Sequence, residues 1–153
     1  AHALQALRLK GTERVLEIGT GSGHMAALLG AHASQVWTIE CVAELAASAS
    51  ATLQRLGIDN VEVIHADGAR GWTLQSPYDA IMVSGGLPGV PQELLAQLAI
   101  GGRLLIFVGE APLYQAQLIT RQDERSYTTA VLFETQLPAL QTSELAPTLR
   151  FKF

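Results

Sequence analysis

The stretch EIGTGSG, residues 17–23, decides the fold of this chain. Its first two residues end an apolar run, RVLEI, residues 14–18, and it precedes a segment of small and apolar residues typical of a helix. Glycines stand at every second position, Gly19, Gly21 and Gly23, and an acid, Glu17, lies two residues ahead of the first. A strand, a glycine loop and a helix in this order predict a ligand-binding turn at one edge of a parallel sheet.

Short apolar runs alternate with helical patterns through the rest of the chain, which predicts β-α-β units on a mostly parallel sheet. After residue 113 the pattern changes to two longer segments separated by a polar turn, which predicts a closing antiparallel pair. The fold class predicted is therefore α/β. The predicted strands are 14–18, 35–39, 61–64, 78–84, 103–108, 114–121 and 126–137.

Three helices are predicted between these strands. The first follows the glycine loop over residues 22–29, and the second ends at Gly57, a residue suited to a helix C-terminus. Pro91 suits the first turn of the third, and Gly101 and Gly102 suit its end. The apolar face predicted for the second helix consists of Leu45, Ala49, Leu53 and Leu56.

Composition restricts the class of protein. With 153 residues, 48% hydrophobic and 16% charged, we expect one globular domain over residues 1–153. The chain opens inside a helical pattern without an initiator methionine, so we expect it to lack an N-terminal segment. The net charge of −4 comes with no basic stripe, which argues against nucleic-acid binding, and no apolar run reaches the roughly 18 residues of a membrane span.

Cysteine and histidine usage excludes further classes of site. The single cysteine, Cys41, can form no disulfide within the chain and no cysteine zinc cluster, so we expect a reducing cytoplasm. His24, His32 and His65 lack metal-ligand spacing, so no metal site is predicted.

The glycine spacing discriminates between cofactors. Dinucleotide-binding loops follow G-x-G-x-x-G, and the third glycine of that pattern would fall on His24, which disfavours a nicotinamide-dependent oxidoreductase. The stretch from Glu17 to Gly23 instead resembles the E-x-G-x-G-x-G loop of class I methyltransferases, which implies S-adenosylmethionine as cofactor. That molecule carries a sulfonium and an ammonium and no pyrophosphate, so an acid close to the loop is favourable. The loop residues assigned to the cofactor are Glu17, Gly19, Thr20, Gly21 and Gly23.

Two further acids follow the second and third strands. Glu40 ends the second strand, where a carboxylate can accept hydrogen bonds from both ribose hydroxyls. Asp67 follows the third, where it can accept from the adenine amino group while Gly68 lets the ring approach. Cys41 is expected to line the same adenine pocket. Each acid alone suits an ordinary strand end or turn, and their order after successive strands favours the cofactor interpretation.

Longer strings resemble one family. VLEIGTGSG, NVEVIHADGARGW and PYDAIMVSGGLPGVPQELLAQLAIGGRLLIFVG together resemble the protein-L-isoaspartate O-methyltransferase family over residues 1 to about 109. The resemblance implies a Rossmann-like, seven-stranded methyltransferase sheet with a C-terminal antiparallel hairpin. It also implies methylation of a protein or peptide carboxylate, a protein-repair reaction whose product is S-adenosylhomocysteine. The tail, LFETQLPAL followed by LRFKF, resembles a short bacterial paralogue group.

The sequence differs from the family at positions expected to lie near the substrate. The family has an aromatic residue where His24 stands, and small residues with a threonine in place of Ser84, Gly85 and Gly86. Its substrate-side serine or threonine segment lies upstream of the helix that opens this chain. The loop after the fourth strand should face the transferred methyl group, which makes Ser84 the candidate catalytic residue for orienting a substrate carboxylate. For the same reason Ser84 is also predicted to be one of the cofactor-binding residues. A strand-end serine that satisfies backbone groups is the alternative.

Two functions remain open from the sequence. One is an S-adenosylmethionine-dependent O-methyltransferase, and the other is an S-adenosylmethionine-binding paralogue with a different small-molecule substrate or no catalysis. We expect this chain to bind the cofactor and to methylate an isoaspartyl peptide slowly or not at all, because the family's substrate-orienting hydroxyls lie upstream.

Overall fold

A computed structural model describes residues 2–141. It has four α-helices, seven strands and one short 3-10 helix over Thr73–Gln75. The C-terminal string LRFKF and the rest of residues 142–153 lie outside the described part. The strands are β1 Arg14–Ile18, β2 Gln35–Glu40, β3 Val61–His65, β4 Tyr78–Leu87, β5 Leu98–Glu110, β6 Leu113–Arg121 and β7 Tyr127–Gln136, and the helices are α1 His2–Ala6, α2 His24–His32, α3 Ala43–Arg55 and α4 Gln92–Ala96.

All seven strands form one sheet in the order β3-β2-β1-β4-β5-β6-β7. The first five are parallel, and β6 and β7 pair antiparallel as a terminal hairpin. The predicted fold class is confirmed. The strand order changes direction between β1 and β4, so the carboxyl ends of β1, β2 and β4 border one crevice, which is where open α/β sheets bind ligands.

The central strands are apolar because the sheet is buried on both faces. Leu16 and Ile18 of β1 belong to the core on one face, and Val15 belongs to the core on the other. Val36 and Ala80 extend this second core onto β2 and β4. Side chains alternate between faces along a strand, so positions two residues further on lie on the same face, nearer the crevice.

The helices differ from their predicted limits. Helix α2 begins at His24 because Gly23, its N-cap, has a left-handed backbone with φ of 90°. Helix α4 ends at Ala96 and not near Gly101, because the Gln97 carbonyl accepts from the Tyr78 N–H at 2.8 Å and Leu98 joins the sheet in register with Tyr78. Pairing with β4 thus ends the helix early.

The predicted apolar face of α3 is partly wrong. Ala49 and Leu53 are buried, but so is Ala46, whereas Leu45 and Leu56 are 39% and 59% exposed. Gly57 follows the helix with φ of 70°, which agrees with its predicted role at the C-terminus.

Candidate functional site

The glycine loop after β1 has the backbone that its spacing requires. Gly19, Gly21 and Gly23 have φ of 90°, 55° and 90°, a left-handed region that side chains with a Cβ rarely adopt. The N–H of Gly19 donates to the Ile39 carbonyl at 2.8 Å, which ties the loop to the end of β2. Gly23 also packs closely on α3, since a Cβ there would lie 3.3 Å from the Ala49 Cβ.

Glu40 is buried at the end of β2 and is hydrogen-bonded to the glycine loop. Its Oε1 accepts from the Gly21 N–H at 2.8 Å, and its Oε2 accepts from the Val42 N–H at 3.0 Å. A carboxylate oxygen can accept more than one hydrogen bond, so each keeps acceptor capacity. The carboxylate is therefore fixed in place and still able to receive hydroxyl donors.

A cleft of about 230 Å³ opens at this edge of the sheet. Residues 138–141, which we call the C-terminal strap, form one of its walls. The Gly86 N–H donates to the Pro138 carbonyl at 3.0 Å, and the Leu140 N–H donates to the Gly86 carbonyl at 2.8 Å. The strap is thus joined to the end of β4. The cleft is lined by Gly19, Gly21, Glu40, Leu45, Ser84 and the four strap residues.

Glu17 lies beneath the glycine loop and is fully buried. Its Oε1 accepts from the Thr38 hydroxyl and its Oε2 from the Ser84 hydroxyl, both at 2.7 Å. The Thr20 and Thr38 hydroxyl oxygens are 2.6 Å apart, which adds the loop to the network. Burial raises the pKa of Glu17 from 4.5 to about 7; the two hydroxyls act in the opposite direction, and the charge of Glu40 adds to the rise. In the structure the partners of the Glu17 carboxylate are the hydroxyls of Thr38 and Ser84. Its contact with a cofactor stays a prediction.

The residues after β3 stand beside the cleft and do not form its wall. Asp67 Oδ1 accepts from the Ala69 N–H at 2.9 Å within its own turn. Gly68 is required by packing, because a Cβ there would lie 2.8 Å from Ile18 Cγ2 and 3.2 Å from Ile39 Cγ2. Close packing against Ile18 and Ile39 thus explains why a glycine stands at position 68. The approach of an adenine ring to Gly68 stays a prediction.

Cys41 follows Glu40 and faces the strap. Its thiol donates to the Gln141 carbonyl at 3.1 Å. Burial, followed by the charge of Glu40, raises the pKa of this thiol, so it stays protonated at neutral pH. The adenine contact of Cys41 stays a prediction.

Sequence reasoning missed three contributors: Thr38, Leu45 and the strap. A signal existed for Thr38, because it is a polar residue inside an apolar strand and is in register with Glu17. The strap carries no motif, and its position depends on the hairpin that precedes it.

No helix within residues 2–141 combines the length and apolarity needed to cross a membrane. The same residues contain no cluster of three or more His, Cys, Asp or Glu side chains placed to hold a metal ion.

Comparison with known families matches residues 1–141 to protein-L-isoaspartate(D-aspartate) O-methyltransferase. A protein-L-isoaspartate O-methyltransferase 2 of Pelobacter propionicus is 47% identical over 128 residues, which are 83% of this chain and 57% of the relative. A protein-L-isoaspartate O-methyltransferase 1 of Rhodopseudomonas palustris is 55% identical over 109 residues, which are 71% of this chain and 44% of the relative. The chain thus spans about half the length of the curated relatives it matches.

Solved structures show the same fold. A protein-L-isoaspartate O-methyltransferase superposes with a TM-score of 0.85 at 28% identity, covering 98% of this chain and 49% of that one. A Plasmodium falciparum protein, described as a putative member of the family in complex with S-adenosyl-L-homocysteine, has a TM-score of 0.73 at 24% identity. That match covers 91% of this chain and 71% of the Plasmodium chain, and at this identity it shows the fold alone.

Proposed function

The chain belongs to the protein-L-isoaspartate O-methyltransferase family, and from that premise we propose that it binds S-adenosylmethionine and transfers its methyl group to a carboxylate of a protein or peptide. The observation that carries this proposal is Glu40. Its carboxylate is held at the cleft by the backbone of Gly21 and Val42 and can still accept from the two hydroxyls of a ribose.

The charge of the cleft suits this cofactor. Among its described lining residues there is one carboxylate, Glu40, and no Lys, Arg or His. A pyrophosphate would be repelled there, whereas a ligand with a sulfonium and an ammonium is attracted. The buried Glu17 adds to this preference whenever it is ionised.

Different residues are assigned to different parts of the cofactor. The methionyl part is bound by the loop residues Gly19, Thr20, Gly21 and Gly23, with Glu17 beneath them. The ribose is bound by Glu40, and the adenine is contacted by Cys41, Asp67 and Gly68. Ser84 borders the place where the methyl group would meet its acceptor.

When bound, S-adenosylmethionine supplies an activated methyl group on a cationic sulfur. A carboxylate acceptor with an ordinary pKa near ~4 is already ionised at neutral pH, so the protein needs no general base. The task of this chain's residues is to hold acceptor and cofactor in line and to exclude water, and positioning of this kind supplies most of the acceleration.

The proposed substrate is an isoaspartyl carboxylate in an aged protein or peptide, as the names of the relatives indicate. The proposed unit is a single domain without a nucleic-acid or membrane partner. A reducing compartment, the cytoplasm, suits a chain whose one thiol is unpaired.

The alternative is an S-adenosylmethionine-binding paralogue with another small-molecule substrate or no catalysis. One observation favours it: the strap leaves a cleft of about 230 Å³, below the roughly 300 to 1,000 Å³ usual for small-molecule sites.

The first experiment is calorimetry of the 153-residue chain with S-adenosylhomocysteine and, separately, with NAD. Saturable binding of the former and none of the latter is expected. Binding of NAD alone would refute the cofactor assignment.

The second experiment measures transfer of labelled methyl from S-adenosylmethionine to an isoaspartyl peptide, with the matching aspartyl peptide as control and the Pelobacter propionicus relative as reference. We expect slow, isoaspartyl-selective transfer by this chain. Cofactor binding without any transfer would favour the non-catalytic alternative.

A further inference from the structure

One buried side chain, Gln97, holds the loop that follows β3. Gln97 lies between α4 and β5 and is 4% exposed. Its Oε1 accepts from the Trp72 N–H at 2.9 Å, and its Nε2 donates to the Arg70 carbonyl at 2.8 Å. Both polar atoms of the amide are therefore bonded to the backbone of the loop, on either side of Gly71.

Gly71 lies directly against the Gln97 amide. Its φ of 79° is in the left-handed region, and a Cβ there would lie 2.3 Å from Gln97 Oε1. The Gly71 N–H donates to the Gly68 carbonyl at 2.9 Å, which closes a turn over residues 68–71. Asp67 immediately precedes this turn, and its Oδ1 accepts from the Ala69 N–H at 2.9 Å. The Gln97 amide and the Asp67 carboxylate are thus bonded to the same turn.

The backbone of Gln97 is fixed by its own hydrogen bonds. Its carbonyl accepts from the Tyr78 N–H at 2.8 Å, and its N–H donates to the Leu94 carbonyl at 3.2 Å. The Tyr78 hydroxyl donates to the Trp72 carbonyl, so the first residue of β4 contacts both Gln97 and the end of the loop. The position of the loop therefore depends on the junction of α4 and β5.

We propose that Gln97 is a positioning residue for adenine recognition, because by fixing the turn over residues 68–71 it aims the Asp67 carboxylate at the adenine amino group. This inference rests on the proposed function, in which Asp67 contacts the adenine. Gln97 acts through the loop, since both polar atoms of its amide are bonded to loop backbone.

The geometry of hydrogen bonds explains why the loop must be fixed. A bond from an amino group to a carboxylate weakens steeply when its distance or angle departs from the usual range. Asp67 is bonded within its own turn, so its direction changes whenever that turn moves. An apolar side chain at position 97 could fill the same space, but it would offer nothing to the Trp72 N–H or the Arg70 carbonyl.

The test compares S-adenosylhomocysteine with S-inosylhomocysteine, in which a carbonyl replaces the adenine amino group. The parent should prefer the adenine ligand, because the inosine carbonyl would face the Asp67 carboxylate with no hydrogen between them. In Gln97→Met, which keeps the side-chain length and loses both hydrogen bonds, affinity for S-adenosylhomocysteine should fall roughly 10-fold. Affinity for S-inosylhomocysteine should fall less than about 2-fold, because Glu40 and the glycine loop bind the rest of the ligand independently.

Gly71→Ala tests the same contact from the side of the loop. The added Cβ would displace the Gln97 amide, so this variant should also lose most of the adenine preference. Gly101→Ala is its matched control, because Gly101 has a similar φ of 84° and no other part of the described chain lies within 4 Å of the added Cβ. Gln92→Met, at an exposed position of α4, is the control for the exchange at position 97. Both controls should keep the preference of the parent.

A double-mutant cycle separates positioning from a loss of stability. In Asp67→Ala the adenine preference is already lost, so adding Gln97→Met should leave the ratio of the two affinities unchanged. Leu118→Ala removes half-buried apolar contacts on the other face of the sheet, so it should lower the free energy of unfolding and keep the preference. Circular dichroism confirms that each variant is folded at the temperature of the titration.

An unchanged adenine preference in Gln97→Met and Gly71→Ala, or equal losses for both ligands, would overturn the inference while the cofactor assignment stands. A parent that binds both ligands equally would overturn the assignment of Asp67 to the adenine, and this inference with it. Failure of the parent to bind either ligand would overturn the proposed function itself.

Discussion

Leu140 packs directly on Gly19. A Cβ at position 19 would stand 2.9 Å from Leu140 Cδ1, and a Cβ on Gly85 would stand 2.8 Å from the Leu140 Cα. The first glycine of the loop therefore meets two requirements, a left-handed backbone and the close approach of the strap. The strap is thereby part of the cleft at the position assigned to the methionyl group.

Shortening Leu140 should open the cleft. Leu140 is 6% exposed, so Leu140→Ala should lower the free energy of unfolding by about 2 kcal/mol. Affinity for S-adenosylhomocysteine should rise several-fold, because the wall over Gly19 recedes. Urea unfolding measures the free energy of unfolding, and calorimetry measures the affinity. Leu74→Ala, at an exposed position, is the control that should change neither quantity. A loss of affinity would mean that Leu140 contacts the bound ligand.

Gly86 should tolerate no side chain. A Cβ there would lie 2.1 Å from Cε1 of Tyr114, whose ring is buried in the sheet, so Gly86→Ala should destabilise the chain by about 3 kcal/mol. Gly89→Ala is the matched control, because no atom lies within 4 Å of its added Cβ. Denaturant unfolding of the two variants should differ clearly. Equal stabilities would show that the Tyr114 ring moves at little cost.

Replacing Glu40 should affect ligand binding more than folding. In Glu40→Gln the amide keeps one acceptor for Gly21 or Val42, and we expect a cost of about 1 kcal/mol to the fold. Loss of charged acceptors for the ribose should weaken S-adenosylhomocysteine roughly 10- to 100-fold. The control Glu44→Gln also removes one negative charge, at an exposed position of α3, and should bind S-adenosylhomocysteine as tightly as the parent does. Unchanged affinity in Glu40→Gln would refute the ribose assignment.

The stability of the chain should depend on pH through Glu17. Burial raises the pKa of Glu17 from 4.5 to about 7, so between these values the folded chain holds a proton that the unfolded chain has lost. This contribution to stability is complete below pH 4.5 and is lost as the pH rises to 7. At 1.36 kcal/mol per pKa unit the loss amounts to about 3 kcal/mol, and Glu17→Gln should not show it.

Urea unfolding of the parent and Glu17→Gln at pH 5, 6, 7 and 8 measures this difference directly. The other titrating groups are common to both chains, so their contributions cancel in the comparison. Parallel profiles would show that Glu17 ionises near its ordinary pKa.

The sequence alone was sufficient for the features that depend on local residues. Apolar runs buried on both faces predicted the parallel strands, and the closing hairpin followed from the change of pattern near residue 114. The left-handed backbone of the glycine loop was predictable because only glycine adopts it at little cost. Glu40 was predictable as well, since its place at the end of a strand brings it to the edge where ligands bind.

Only the tertiary structure decided the features that join distant parts of the chain. Thr38 and Ser84 reach Glu17 because strand pairing brings three separate segments together. Helix α4 ended early because pairing with β4 competed with its local pattern. The strap lies over Gly19 because Gly86 binds its backbone. Such contacts depend on strand register and packing between residues far apart in the chain, and no local pattern carries that information.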